Sequence, residues 1–487
     1  MHYTLLHSDG IVILGYFGFV LAVGLSSFQR QAHSGTDYFL AGRNLGWLSI
    51  GASMVAADVI CCHVVGVIGS SGPRLPIVLE SASVIALVAL GWWLGPKLVS
   101  DRPSTITELF AKRYNERLRN FISGSYILVY LLIRISLVLF FASLLIQIFS
   151  PSDVNVTIAA IILIAGVYSI VGGFTAVVNT QVFQTAVMFL GLFLILLNPS
   201  WSMAIKGIAS GSSLAVAGQG LNGEGSSWPA MIVGIPLFIA WLWLADQYTL
   251  QRVLGARSAR DVKSGALIAI GVKVLIIIPL LWLAFSSDVE SQTTTVPLQS
   301  PQLFRGIALV VIFSGVMASL SGLYNSTASL FTFDFYKRRN PSASEHKLVL
   351  VARLSTTTAV LVSMLWMPLV TAVNWSGVNC LQSLLVYFAA AIMAVYTSIF
   401  LWKNSTVLGM GSALLTGAIL GCVKILAGTL ATPDLIQNKL LWWLLRSSCL
   451  DFAALIFVTS LIVLVGVSLA VPSSASNVAP APVERDL

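Results

Sequence analysis

Apolar residues run for about twenty positions at a time through most of this chain, with short polar segments between them. Runs of the ~20 residues that cross a bilayer as helix fall at 10–28, 46–70, 77–99, 120–149, 155–173, 181–197, 229–249, 264–285, 303–333, 349–373, 379–402, 406–428 and 450–471. The pattern predicts an all-α polytopic membrane protein of about thirteen transmembrane helices. One stretch, Gly306 to Arg339, turns polar on one side: Gly315, Ala318, Ser319, Gly322, Asn325, Ser326 and Ser329 recur in it at helical spacing. Small residues on one face let backbones approach closely, and hydroxyl and carbonyl oxygens offer ligands to a cation where water is absent. The stretch leaves the membrane through Asp334, Lys337, Arg338 and Arg339.

Composition agrees with the pattern. Of 487 residues 57% are hydrophobic and only 9% charged, against roughly a quarter charged in soluble proteins. The net charge of +8 does not point to nucleic acid, because the basic residues are distributed among short loops on one side. That set holds Arg30 and Arg43; Lys97, Arg102, Lys112, Arg113, Arg117 and Arg119; Arg252, Arg257, Arg260 and Lys263; Lys337, Arg338, Arg339 and Lys347; and Lys403. The opposite loops hold mainly Arg74, Lys206, Lys439 and Arg446. The positive-inside rule makes the first set cytoplasmic, placing the N-terminus outside and the C-terminus in the cytoplasm of a cell-membrane protein. Residues 10–28 lack a basic n-region and a cleavage site, so they read as a retained helix. The five cysteines show no disulfide or zinc spacing.

The organisation follows from the spans. Residues 1–45 form an extra N-terminal helix and loop, 46–197 a first five-helix repeat, 198–228 an external loop, 229–402 a second five-helix repeat, 403–471 two C-terminal helices, and 472–487 a disordered cytoplasmic tail rich in Pro, Ala and Ser. Two repeats of an odd number of spans lie inverted relative to each other, as in many secondary transporters. Between the third and fourth spans, Asp101 to Asn120 reads as a cytoplasmic surface helix, with Thr105 and Glu108 spaced as a capping box.

Ionisable groups inside spans cost about 2.5 to 3.5 kcal/mol each on insertion scales, so each calls for a reason. The second span carries Asp58 and His63 among small residues, followed by Gly69, Gly72 and Pro73. Such a helix is a candidate for local unwinding, with the carbonyls of Ala56 and Val59 exposed to a cation. The third span carries Glu80 and Ser83 one turn apart, and later spans supply Lys273 and Gln382. A carboxylate, a hydroxyl, an ammonium and an amide can together bond a polar solute. Asp246, Gln247 and Arg252 read equally well as capping groups at the membrane surface. Arg134, Arg353, Lys424 and Asp451 read as pairing or snorkelling groups.

Motifs for catalysis are missing: no HExxH, GxSxG, Walker loop or paired metal-spaced histidines occur, and no filter-like segment suggests a channel. The chain is not expected to be an enzyme.

Several blocks together resemble the sodium:solute symporter family, which has the LeuT-type five-plus-five fold. They are Asp37 to Arg43 (DYFLAGR), the small-residue block Ala56 to Gly72, Val171 to Val177 (VGGFTAV), Asp246 to Arg252 (DQYTLQR) and Asn325 to Lys337 (NSTASLFTFDFYK). The sodium/glucose cotransporter branch is the nearest likeness: His63, Glu80, Ser83, Lys273 and Gln382 fall where that branch holds its sugar, and Trp243 on its stacking aromatic. The resemblance implies a Na⁺ site from the carbonyls of Ala56, Val59 and Gly315 and the hydroxyl of Ser319, with Asp58 as a further candidate ligand. The chain departs from the family where Ala318 replaces a hydroxyl residue, Gln181 an aspartate, Ile239 an asparagine and Leu242 a gate tyrosine.

The expectation is a cation-coupled secondary symporter for a sugar-like or other small polar solute, with Na⁺ as coupling ion and alternating access as mechanism. A proton-coupled carrier using Asp58 and a non-transporting solute sensor are the alternatives. The expected partners are the solute and the lipid bilayer.

Overall fold

The computed structural model describes residues 7–27, 35–58, 74–149, 154–197, 227–285, 303–372, 375–402, 404–430 and 447–471. The described residues are almost entirely helical. In chain order the helices are α1 (His7–Ser26), α2 (Gly35–Leu40), α3 (Trp47–Asp58), α4 (Arg74–Ala89), α5 (Gly95–Asp101), α6 (Glu108–Arg113), α7 (Glu116–Leu128), α8 (Ile135–Phe149) and α9 (Val154–Leu197). They continue as α10 (Ile235–Leu244), α11 (Gln247–Leu254), α12 (Ala259–Phe285), α13 (Phe304–Leu330), α14 (Lys337–Arg339), α15 (Glu345–Thr371), α16 (Trp375–Leu401), α17 (Val407–Leu430) and α18 (Cys449–Ala470). Single π turns join α4 to α5, α7 to α8 and α13 to α14, so each pair makes one continuous rod.

Among the described residues nine helices are long and apolar enough to cross a membrane, and one further pair is bent by 40° at a short break. Two expected spans, 155–173 and 181–197, form the single element α9, broken at Gly173. Gly173 has φ 58° and ψ −152°, a backbone region open essentially to glycine alone. A Cβ there would lie 2.7 Å from the Tyr38 carbonyl oxygen. Tyr38 in turn donates its hydroxyl to the carbonyls of Ser169 and Ile170, at 3.2 and 3.0 Å, so α2 is wedged against the break. Of the expected second span only α3 is described. The unwinding anticipated beyond it, with Val59 and His63, lies outside the described residues, as do most of the 198–228 loop and the tail from 472.

The small-residue stretch forms α13, which is buried along nearly its whole length and packs against α9, α3, α1, α8 and α15. Glycine and serine allow that central position. A Cβ at Gly322 would come within 2.5 Å of the Tyr248 ring, so the helix backbone touches its neighbour there. The start of α12 is fixed by Asp261, which accepts from Ser258 Oγ at 2.5 Å and from Arg257 Nη2 at 3.1 Å. Burial raises the Asp261 carboxyl, and the Ser258 and Arg257 hydrogen bonds with the guanidinium charge outweigh it, leaving the group below its usual range.

The loops rich in basic residues gather at one end of the bundle. Arg43 Nη2 donates to the carbonyls of Arg102 and Pro103, Lys112 Nζ to that of Asp101, and Arg113 Nη2 to that of Trp402. Leu45 pairs through its backbone with Gly255 and Arg257. The segment expected to be a capped surface helix is built differently. Thr105 Oγ1 donates 2.8 Å to Asp334, not to the helix start, and Thr105, Ile106, Thr107 and Phe110 are buried. Glu108 accepts from the Ser104 amide at 2.6 Å. Asp334, fully buried, also accepts from Thr107, Ser123 and Arg119. The deep carboxylate and its donors draw the loop inward, because an unpaired charge there would be costly.

Candidate functional site

Three of the anticipated solute-site residues meet in the interior. Lys273 on α12 and Glu80 on α4 form an ion pair at 3.3 Å, their side chains 2% and 12% exposed. The Lys273 ammonium also lies 5.0 Å from the centre of the Trp243 ring on α10, within the range of a cation–π attraction. Helix packing accounts for the meeting, since α4 touches both α10 and α12. Ser83, one turn beyond Glu80, is fully buried, and its hydroxyl has no hydrogen-bond partner among the described residues. The indole N–H of Trp243 is likewise buried and unpartnered. Gln382 is half-buried on α16, which packs against α10.

Chemically the cluster sums to zero charge. It holds a carboxylate that accepts hydrogen bonds, an ammonium that donates them, an aromatic face, and two donors in want of acceptors. A neutral ligand with several hydroxyls satisfies all of these without separating the ion pair. Ile239 and Leu242, on α10, present apolar side chains.

The anticipated cation residues lie where α3 crosses α13. Ala56 is fully buried, Gly315 and Ala318 are buried, and Ser319 is 5% exposed. The side chain of Asp58 lies outside the described residues. Ser319 is hydrogen-bonded to the Tyr248 phenol. The Ala318 carbonyl accepts from Gln181 Nε2 at 2.8 Å and from Ser321 Oγ at 3.2 Å. Gln181, on α9 beyond the Gly173 break, also accepts from Arg252 Nη2 at 3.1 Å. Thr185, one turn further along, donates to the Ala52 carbonyl at 2.7 Å. Among the described residues no cluster of three or more His, Cys, Asp and Glu could hold a metal. Backbone carbonyls and hydroxyls suit a hard monovalent cation instead.

The break between α10 and α11 falls beside both clusters. Asp246 caps α11, accepting from the Tyr248 amide at 3.4 Å, and is paired with Arg134 and hydrogen-bonded by Tyr130. Arg134 faces the rings of Tyr130, Trp241 and Tyr248. The capping role expected for Asp246 is present, and the residue is wholly buried within the protein. Arg252 is buried as well. The link through Gln181 was missed in the sequence because its two ends are 71 residues apart and an amide in a span draws less notice than a charge.

The model of the sodium:solute symporter family matches residues 38–421. A sodium/glucose cotransporter 4 of Danio rerio is 27% identical over 96% of this chain and 79% of its own length. A sodium/myo-inositol cotransporter 2 of Homo sapiens is 28% identical over 86% of this chain and 69% of its own. A solved Na⁺-coupled sialic acid symporter, substrate-bound and outward-open, superposes with a TM-score of 0.75 at 20% identity, covering 96% of this chain and 98% of that one. The fold is accordingly of the LeuT type. With the family model spanning most of its length, the chain belongs to the sodium:solute symporter family.

Proposed function

We propose that this protein is a Na⁺-coupled symporter of a neutral, polyhydroxylated solute such as a hexose or an inositol. The observation that carries the reading is the buried Lys273–Glu80 pair beside Trp243. A charged solute would compete with one member of the pair and strand the other, whereas hydroxyls both donate to Glu80 and accept from Lys273. Ser83, Gln382 and His63 complete the solute site, with the Trp243 ring against the apolar face of the solute. Its relatives include cotransporters for glucose and myo-inositol.

The coupling ion sits between α3 and α13, held by the carbonyls of Ala56, Val59 and Gly315 and the Ser319 hydroxyl, with Asp58 at hand for charge. Ion binding favours the outward-open state, and the solute then permits closure, each ligand shifting the population by its differential affinity. Residues 46–197 and 229–402 are the two inverted five-helix repeats. The convergence of the basic loops at one end supports an N-terminus outside and a C-terminus in the cytoplasm, in the cell membrane. No covalent step is required.

A proton-coupled reading is favoured by one observation: Ala318 supplies no hydroxyl and the Ser319 hydroxyl is already bonded to Tyr248. Uptake of labelled myo-inositol and glucose into proteoliposomes decides between them. Accumulation driven by a Na⁺ gradient supports the proposal, accumulation driven by a pH gradient without Na⁺ transfers the coupling to Asp58, and binding without flux makes the protein a sensor.

A further inference from the structure

Arg252 is 1% exposed and sits on α11, immediately below the cation residues of α13. Its Nη1 donates to the Tyr248 carbonyl and its Nη2 to Gln181 Oε1, and its plane lies 4.8 Å from the Tyr248 ring centre. Both side-chain neighbours are neutral, and its Nε is buried without a partner. Among the described residues no carboxylate pairs with it. Asp246, a carboxylate that acts on it electrostatically, is already paired with Arg134. A guanidinium buried in the protein without a carboxylate partner is expensive and calls for a role. Two links, each one residue long, join it to the ion residues. Gln181 hands its hydrogen bond on to the Ala318 carbonyl, and Tyr248 bonds Ser319.

We infer that Arg252, resting on the Na⁺-symport reading, is a positioning residue that tunes the affinity of the cation site. Its fixed positive charge opposes the bound ion, and its hold on Gln181 keeps the amide donating to the Ala318 carbonyl, next to the Ser319 ligand. The site is thereby held weak and releases its ion readily. Two unit charges roughly a nanometre apart at an effective dielectric of about 20 correspond to a change of roughly tenfold in binding.

The test is a Na⁺ titration of the purified protein at constant ionic strength with choline as replacement, reading half-saturation from thermal stabilisation and from ²²Na⁺ binding. Gln181→Glu compensates the charge and Arg252→Gln removes it, and both are expected to lower the half-saturating Na⁺ about tenfold. Arg252→Lys keeps the charge and stays near the wild type. Gln181→Met frees the Ala318 carbonyl without adding charge and shifts less than Gln181→Glu. A purely structural role would weaken binding in every variant. Unchanged or raised half-saturation in both Gln181→Glu and Arg252→Gln overturns the inference alone, and Gln181→Glu decides if Arg252→Gln does not fold. A wild type with no Na⁺ response overturns the symport reading and the inference with it.

Discussion

Replacing Lys273 by Met keeps the length and apolar volume of the side chain while deleting the ammonium. Glu80 then faces the interior without its partner at 3.3 Å, with 12% of its side chain exposed. The attraction lost is about 5 kcal/mol at that separation and an effective dielectric of ~20. Removing one member of a buried pair costs about 3 to 5 kcal/mol, and replacing both members with apolar or neutral groups costs far less. Lys273→Met alone should therefore lower the melting temperature substantially, and the double variant Glu80→Gln, Lys273→Met should recover most of that loss. Solute binding behaves in the opposite way. Every variant lacking either charge should bind myo-inositol or glucose at least tenfold more weakly, the double variant included, because each loses a charge-assisted hydrogen bond of about 1.5 to 3 kcal/mol. Thermal unfolding and radioligand binding on the same purified samples read the two quantities. A double variant as unstable as the sum of the two single losses would refute the pair as a mutually compensating unit. Normal solute affinity in the double variant would remove the pair from the solute site.

Three further outcomes follow from other parts of the fold. Ser319→Ala should raise the half-saturating Na⁺ for uptake about tenfold, as expected for one lost oxygen ligand; identical ion dependence in Ser319→Ala and wild type would take Ser319 out of the ion site. Asp334→Asn should destabilise by about 3 to 5 kcal/mol because it removes one charge of a buried pair and leaves Arg119 only the exposed Glu116 at 3.7 Å, whereas Ser123→Ala should cost about 1 kcal/mol; equal shifts in melting temperature would contradict the assignment of Asp334 as the hub. Gly173→Ala should abolish folded protein on size-exclusion chromatography, given the left-handed φ and the 2.7 Å approach to Tyr38, while Gly271→Ala, with open space around it, should be neutral or stabilising by about 0.5 to 1 kcal/mol.

Much of this architecture is written in short-range pattern. A run of apolar residues states its own helix, because in lipid a backbone must satisfy itself locally. Glu80 and Lys273 stood out because charge inside a span is expensive anywhere in the sequence. What local pattern does not carry is partnership. Thr105 looks like a cap when only Glu108 is in view, and its acceptor Asp334 lies 229 positions away. Asp246 looks like a cap alone until Arg134, 112 positions earlier, arrives beside it. The span boundary read at 173 falls on the Gly173 break, but residues 174–180 continue as helix instead of forming a loop. Ala318 and Gln181 could be named as departures from the family, but their shared hydrogen bond exists only once α9 lies along α13.

The carboxylate of Asp334 has a mechanical consequence. It is gripped from the loop before α6 by Thr105 and Thr107 and from α7 by Ser123 and Arg119, while Glu116 at the head of α7 meets Arg338 just beyond. The ends of α7 and α13 are thus bolted together, and a carrier that rocks must carry them as a single strut. Flexure is left to joints such as the peptide run at Ala245–Asp246 and the Gly173 break. Spin labels placed across the bolt should keep one separation through the whole transport cycle, while labels that straddle either joint change theirs.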